Sequence, residues 1–155
     1  MSDSWLIAIP TDPDLVPEPE CQQRAYDWFV ANYPDTEIKI EVRESVQFQH
    51  CGQAFERIRC PMCRQELGLR WWQTRMDHDY STENGFSFTP FQTPCCGAVC
   101  TLPDLTYEAP QGFARCFLIA MNPPHFSPYM PKNDEKSREL AAALGSSVRW
   151  IYCHL

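Results

Sequence analysis

The sequence predicts an α+β fold interrupted by a long cysteine-bearing insertion. Three observations predict it: two runs apolar at nearly every position, two segments with apolar side chains at helical spacing, and a cysteine-rich stretch lying between the halves of that pattern. At 155 residues, 44% hydrophobic, 13% aromatic and 21% charged, the chain has the composition of one ordinary globular domain.

The elements follow in order. Trp5-Leu-Ile-Ala-Ile9 is apolar throughout, as a strand buried on both faces should be. A proline-rich loop through Pro10, Pro13 and Pro17 ends where a helix can begin. Cys21, Ala25, Trp28, Phe29 and Asn32 then recur at i, i+4, i+7 and i+8, which predicts an amphipathic helix over 18–32, stopped before Pro34. Ile38, Ile40 and Val42 alternate with Glu37, Lys39, Glu41 and Arg43, the mark of a half-exposed strand. Beyond the cysteines, Phe113 to Met121 is again almost continuously apolar. A turn at 122–124 and an irregular stretch to Lys132 lead to a second helix. It is capped at Asn133 or Asp134, striped by Ser137, Leu140, Ala141 and Leu144, and closed by Gly145. Val148 to Leu155 forms the last strand.

With residues 45–110 set aside, the order is β-α-β-β-α-β, the ferredoxin-like two-layer sandwich. The core is therefore expected in 1–44 and 111–155, and the insertion in 45–110, between strands two and three. In that topology strands one and three are central, and these are the two that read as fully apolar. Helices cover only one face of such a sheet. The insertion, tethered at the ends of strands two and three, is favoured over a partner or a second copy to cover the other.

No stretch approaches the roughly 20 apolar residues that cross a bilayer, and Met1-Ser-Asp-Ser4 lacks a basic signal region. The expectation is a cytoplasmic protein, whose nine cysteines stay reduced and whose clustered thiols are read as metal ligands. Cys60-Pro-Met-Cys63 lets two thiolates face one point while the turn's amides aim at the sulfurs. Downstream lies Thr93-Pro-Cys95-Cys96-Gly97, with Thr93 where a second such pair would place a cysteine. Either Cys95 and Cys96 both ligate, or one of them works with Cys100; Cys51 and His50 are reserve ligands. The expected set is Cys60, Cys63, Cys95 and Cys96 around one structural Zn2+. Four thiolates also suit iron, although nothing here calls for redox chemistry. A thioredoxin-like pair should open a helix behind a buried strand, whereas Cys60 follows the charged Glu56-Arg-Ile-Arg59. A closed all-thiolate site has no open catalytic position. Cys21, Cys116 and Cys153 read as buried hydrophobes.

Other features carry less. Asp77-His78-Asp79 falls at a helix end, where neighbours diverge too far to converge on a substrate. Trp71, Trp72, Phe86, Phe88 and Phe91, interleaved with Arg57, Arg59, Arg64, Arg70 and Arg75, are the best nucleic-acid feature, but Glu56, Glu66, Asp77, Asp79 and Glu83 neutralise them. The rings read instead as the core of a small subdomain. His50, His125 and His154 stand alone and read as structural. No nucleotide-binding loop or nucleophile elbow is present, so no enzyme activity is assigned.

The Cys60 segment resembles one knuckle of a zinc ribbon or rubredoxin-like site, with Arg64 where glycine is usual. On a wider scale, residues 6–12, 55–63, 71–72, 93–97 and 112–115 resemble a group of small bacterial proteins with a Cys-Pro-x-Cys…Thr-Pro-Cys-Cys-Gly insertion. That resemblance implies a bacterial cytoplasmic protein and no established activity. The net charge of −7 is already reached within residues 1–44, which hold ten acidic side chains against Arg24, Lys39 and Arg43. Such acidity suits a basic protein partner and disfavours phosphate backbones. The expected role is a zinc-stabilised protein-interaction module, most concretely a toxin-neutralising immunity protein. The rival classes are a nucleic-acid-binding zinc-ribbon protein and an enzyme with an unrecognised site.

Overall fold

The seven residues of β1 (Ser4–Pro10) form the first strand, buried continuously from Leu6 to Pro10. The computed structural model describes residues 3–53, 55–123 and 134–155. Helix α1 (Pro19–Asn32) starts with proline at its first position, where no N–H is needed, and ends as Tyr33 N–H bonds the Phe29 carbonyl ahead of Pro34. Strand β2 (Glu37–Gln49) is followed by β3 (Arg57–Arg59), β4 (Glu66–Leu67), α2 (Leu69–Asp79), β5 (Tyr80–Ser81), β6 (Gly85–Phe86), β7 (Phe91–Gln92) and β8 (Val99–Cys100). A single 3-10 turn at Leu102–Asp104 leads to β9 (Thr106–Glu108), β10 (Gly112–Met121), α3 (Asp134–Leu144) and β11 (Val148–His154). The expected cap at Asn133, the stretch 124–132 and His125 lie outside the described residues.

The fold is α+β with a mixed sheet of order β11-β1-β10-β2-β6-β5. The pairs β1–β11, β1–β10 and β10–β2 are antiparallel, with Ile7 opposite both Ile119 and Ile151, while β6 joins β2 in parallel at Val46. The two fully apolar strands, β1 and β10, are indeed interior. Strand β2 differs from the expectation. It continues past Val42 to Gln49, and its far half is not an edge, because β6 pairs with it.

Two apolar layers sandwich this sheet. On one face Ala25 and Phe29 of α1 and Leu140 and Leu144 of α3 pack on Leu6, Ala8, Leu118, Ala120 and Trp150. On the other, Ile7, Ile9, Phe117, Ile151 and Cys153 meet Cys51, with Phe55 and Ala109 packed alongside. The sheet itself helps here. The β2–β10 register shifts between Ala114 and Cys116, and beyond that bulge Gly112 comes so close to the second face that a Cβ there would lie 2.8 Å from the Ile9 Cδ1. After β2 the chain reaches Gly52, which forms a bridge with His154 at the end of β11. Residues from the cysteine-bearing segment thus bury the side of the sheet that the helices leave bare.

A third cluster belongs to the segment between β2 and β10. Ile58, Leu67, Met76, Leu102, Leu105 and Tyr107 are buried there with Phe113, the second residue of β10. Its sheets are short: β4-β3-β9 and the β7–β8 ladder. No helix of the described residues is long and apolar enough to cross a membrane.

Candidate metal centre

Two turns of like backbone build the centre. In the first, Cys60 N–H bonds the Gln65 carbonyl (2.9 Å) and Arg64 N–H bonds the Cys60 carbonyl (3.1 Å). In the second, Thr93 N–H bonds the Ala98 carbonyl (2.9 Å) and Gly97 N–H bonds the Thr93 carbonyl (3.0 Å). Thr93 therefore corresponds to Cys60, Pro94 to Pro61, Cys95 to Met62, Cys96 to Cys63 and Gly97 to Arg64. Both closing residues are left-handed, Gly97 at φ +74° and Arg64 at φ +67°. Glycine takes that conformation freely and arginine does not.

The second turn thus holds a threonine in the slot of the first cysteine. Thr93 is buried, its hydroxyl 3.5 Å from the Cys96 sulfur and 3.9 Å from the Cys60 sulfur. Its missing thiol is replaced from one residue before Cys96, where Cys95 turns inward although its counterpart Met62 is 72% exposed. The outcome is that Cys60, Cys63, Cys95 and Cys96 place their sulfurs within 4.8 Å of one another. Cys60 and Cys96 are 3.7 Å apart and Cys63 and Cys95 3.3 Å, and all four are free thiols. Sulfurs bound at about 2.3 Å on a zinc tetrahedron stand about 3.8 Å apart, so the spacing and the all-sulfur donor set fit such an ion.

Charge within the cluster is unequal. The backbone N–H of Cys63, then that of Met62 and the Cys95 and Cys96 thiols, hold the Cys60 thiol down at about 6. The Thr93 hydroxyl and the Ala98 N–H lower the Cys96 thiol. At Cys63 the Gln65 N–H pulls downward, but the Cys95 sulfur, desolvation and the other two sulfurs push the thiol up to about 12. Four sulfurs this close cannot all ionise unless a cation balances them. A divalent ion would supply that balance and tie the two turns together.

The reserve ligands lie elsewhere. Cys100 is outside the four-sulfur group, buried in β8 with its thiol pushed up to about 11 by desolvation first of all. Cys51 is buried beneath the second face of the main sheet, beside Cys153, and burial likewise raises its thiol to about 11. His50 is exposed, and its Nδ1 accepts the Gly52 N–H at 3.1 Å. Cys116 and Cys153 are fully buried as expected, whereas Cys21 is half-exposed with its sulfur accepting from Arg24 Nη2 at 3.1 Å.

The other sequence candidates are absorbed by packing. Asp79 accepts from the Ser87 hydroxyl and the Phe88 and Thr89 amides, fastening the loop after β6 to the end of α2. Trp72 stacks on Phe55 and meets Phe48 and Tyr107 edge-on, Trp71 meets Phe91, and Phe86 and Phe88 pack on Phe113. The five rings pack against the buried core of the segment. Of the arginines, Arg57 and Arg59 both pair with Glu108, at 3.2 and 2.8 Å. The feature sequence reasoning missed is the role of Thr93. The equivalence of Thr-Pro-Cys-Cys-Gly-Ala to Cys-Pro-Met-Cys-Arg-Gln was the available signal. No family model, curated protein or solved structure matches this chain.

Proposed function

We propose that Cys60, Cys63, Cys95 and Cys96 hold one zinc ion as a structural cross-link within a ribbon-like insertion, and that the chain is a cytoplasmic protein-interaction module. The observation that carries the zinc reading is the four-sulfur group itself, with no histidine or carboxylate in it. A catalytic zinc keeps a position open for water or substrate and usually has nitrogen or oxygen ligands, whereas four thiolates close the shell. The host fold is then a ferredoxin-like sandwich, a reading supported by the order β11-β1-β10-β2 with both α1 and α3 on one face.

The partner reading rests on charge. Of the ten acidic residues in 1–44, nine are exposed and Glu41 is half-exposed. Among the described residues only Lys39 and Arg43 pair with any of them, so a basic protein surface is the complementary partner. Neutralisation of a basic toxin by an immunity protein is the most concrete form of that role. Native mass spectrometry of the full chain from its own host tests both parts together. One zinc and a stoichiometric basic protein are expected. A metal-free chain with intact cysteines would overturn the zinc reading, and co-purifying nucleic acid would overturn the partner.

A further inference from the structure

The start of α2, the far half of β2 and the segment after it enclose an open cleft of about 700 Å3, away from the four sulfurs. Its apolar walls are Phe48, Phe55, Leu69, Trp72 and Met76. The Trp72 indole N–H is already spent on the Tyr107 hydroxyl (3.3 Å), and the ring stacks with Phe55 at 6.2 Å and 19° between planes. Two aligned ring systems thus line a space of the size that holds small organic ligands.

The polar lining is one-sided. Gln111 is 2% exposed, and its side-chain oxygen accepts the Cys51 N–H at 3.2 Å, which fixes the orientation of the amide. Its Nε2 is buried and has no partner, and it belongs to a residue that lines this cleft. A buried donor left unpaired is uncommon and calls for an acceptor. His50, also on the lining, accepts the Gly52 N–H through Nδ1, so the neutral ring carries its proton on Nε2. Arg70 is exposed on the rim and makes no ion pair among the described residues. It is the second residue of α2, whose N-cap is Gly68 with no side-chain cap, so first-turn amides on this side also lack an acceptor. Among the described residues no Asp or Glu lines the cleft, although the chain's net charge is −7.

We propose that this cleft binds a small aromatic carboxylate. Its ring lies among Phe48, Phe55 and Trp72, and its oxygens take the donors of Gln111 and the Arg70 end of α2. By contrast, the hollow of about 450 Å3 along β2 is lined by Glu41, Arg43 and Glu44, and its arginine is already held by Glu41 at 2.8 Å.

The test is a titration of the full chain with 2-naphthoate, followed by ligand-observed NMR, with 2-naphthylmethylammonium as the cationic match. Saturable binding of the anion alone is expected. Leu69→Trp, which fills the mouth at a 52% exposed position, and Arg70→Glu should each weaken it by about tenfold or more while leaving the fold intact. Gln111→Leu should weaken it too, but the two surface variants decide, since they do not disturb the buried Cys51 bond. Absence of saturation, equal affinity for the cation, or unchanged binding by Arg70→Glu and Leu69→Trp would overturn the site.

Discussion

The sheet-and-helix half and the cysteine-bearing half hold together by different means. In the first, strands of seven to thirteen residues and two helices bury aliphatic side chains in two continuous layers. In the second, strands run only two or three residues, and the interior is largely aromatic rings beside a knot of sulfurs. Regular structure propagates order along the chain, so burial alone sustains the first half. A segment with so few ladder bonds needs cross-links, and an ion held by residues of the two turns would supply them. The halves meet along the β2–β10 pair, where Phe48 and Phe113 insert their rings into the aromatic cluster, and again where Cys51 and Phe55 cover the second face of the sheet.

The largest expected effect separates the halves outright. Replacing Cys60 and Cys63 together by Ser should abolish metal binding and cost the cysteine-bearing half more than about 4 kcal/mol, as structural zinc contributes on the order of 10 kcal/mol. Hydrogen exchange should show lost protection in β3, β4 and β9 but retained protection in β1 and β11. Uniform loss would mean that the two halves are one cooperative unit. The same cluster sets a pH dependence in metal-free protein. The Cys60 thiol is held at about 6, below its ordinary 9.0. A lowered acid group stabilises the fold above its unfolded value and loses that contribution as pH falls through its folded value. Melting temperature with chelator should therefore fall from pH 9 toward 6, and Cys60→Ser should flatten that limb.

Next in size, Phe29→Ala opens a cavity against Trp150 and the β1–β10 floor and should cost about 3–5 kcal/mol. Chemical denaturation measures the loss. Metal affinity should not change, and a parallel drop in affinity would blur the division. The smallest effects compare the two turns. Gly97→Ala should cost about 1–2 kcal/mol purely through its left-handed backbone, because a Cβ there meets no atom within 4 Å. Arg64→Gly should gain up to about 1 kcal/mol for the same reason in reverse. Thermal melts of metal-loaded protein would rank the pair, and equal melting of all three proteins would remove the argument from strain.

Much of the first half was legible because its elements are long enough to show a period. The stripe of α1 placed Ala25 and Phe29 inward, and the two nearly continuous apolar runs became the interior strands β1 and β10. The full length of β2 was not legible, because Arg43, Glu44 and Ser45 interrupt the alternation before Val46 and Phe48 resume it. Strands of two residues cannot show a period at all, so β4 to β8 left no trace in the pattern. The four-cysteine cluster was legible as chemistry, since its spacings are short and thiols have few other roles in such turns. Which of Cys95, Cys96 and Cys100 complete the set depended on the Thr93 turn and on burial of Cys100, and both are tertiary facts.

The pairing of β1 bears on how the chain is made. Both its neighbours come late: Trp5 pairs with Met121 on one side and Cys153 on the other. The central part of the cysteine-bearing segment pairs locally, as β3 among the described residues pairs with β4 and β9, and the four sulfurs lie between residues 60 and 96. On the ribosome the middle of the chain can therefore gather its four sulfurs and set while Leu6 to Pro10, all destined for burial, still wait unpaired. A nascent chain arrested after β9 should retain zinc yet be clipped by protease near its N-terminus. A strand made before its partners is then among the last to find its place.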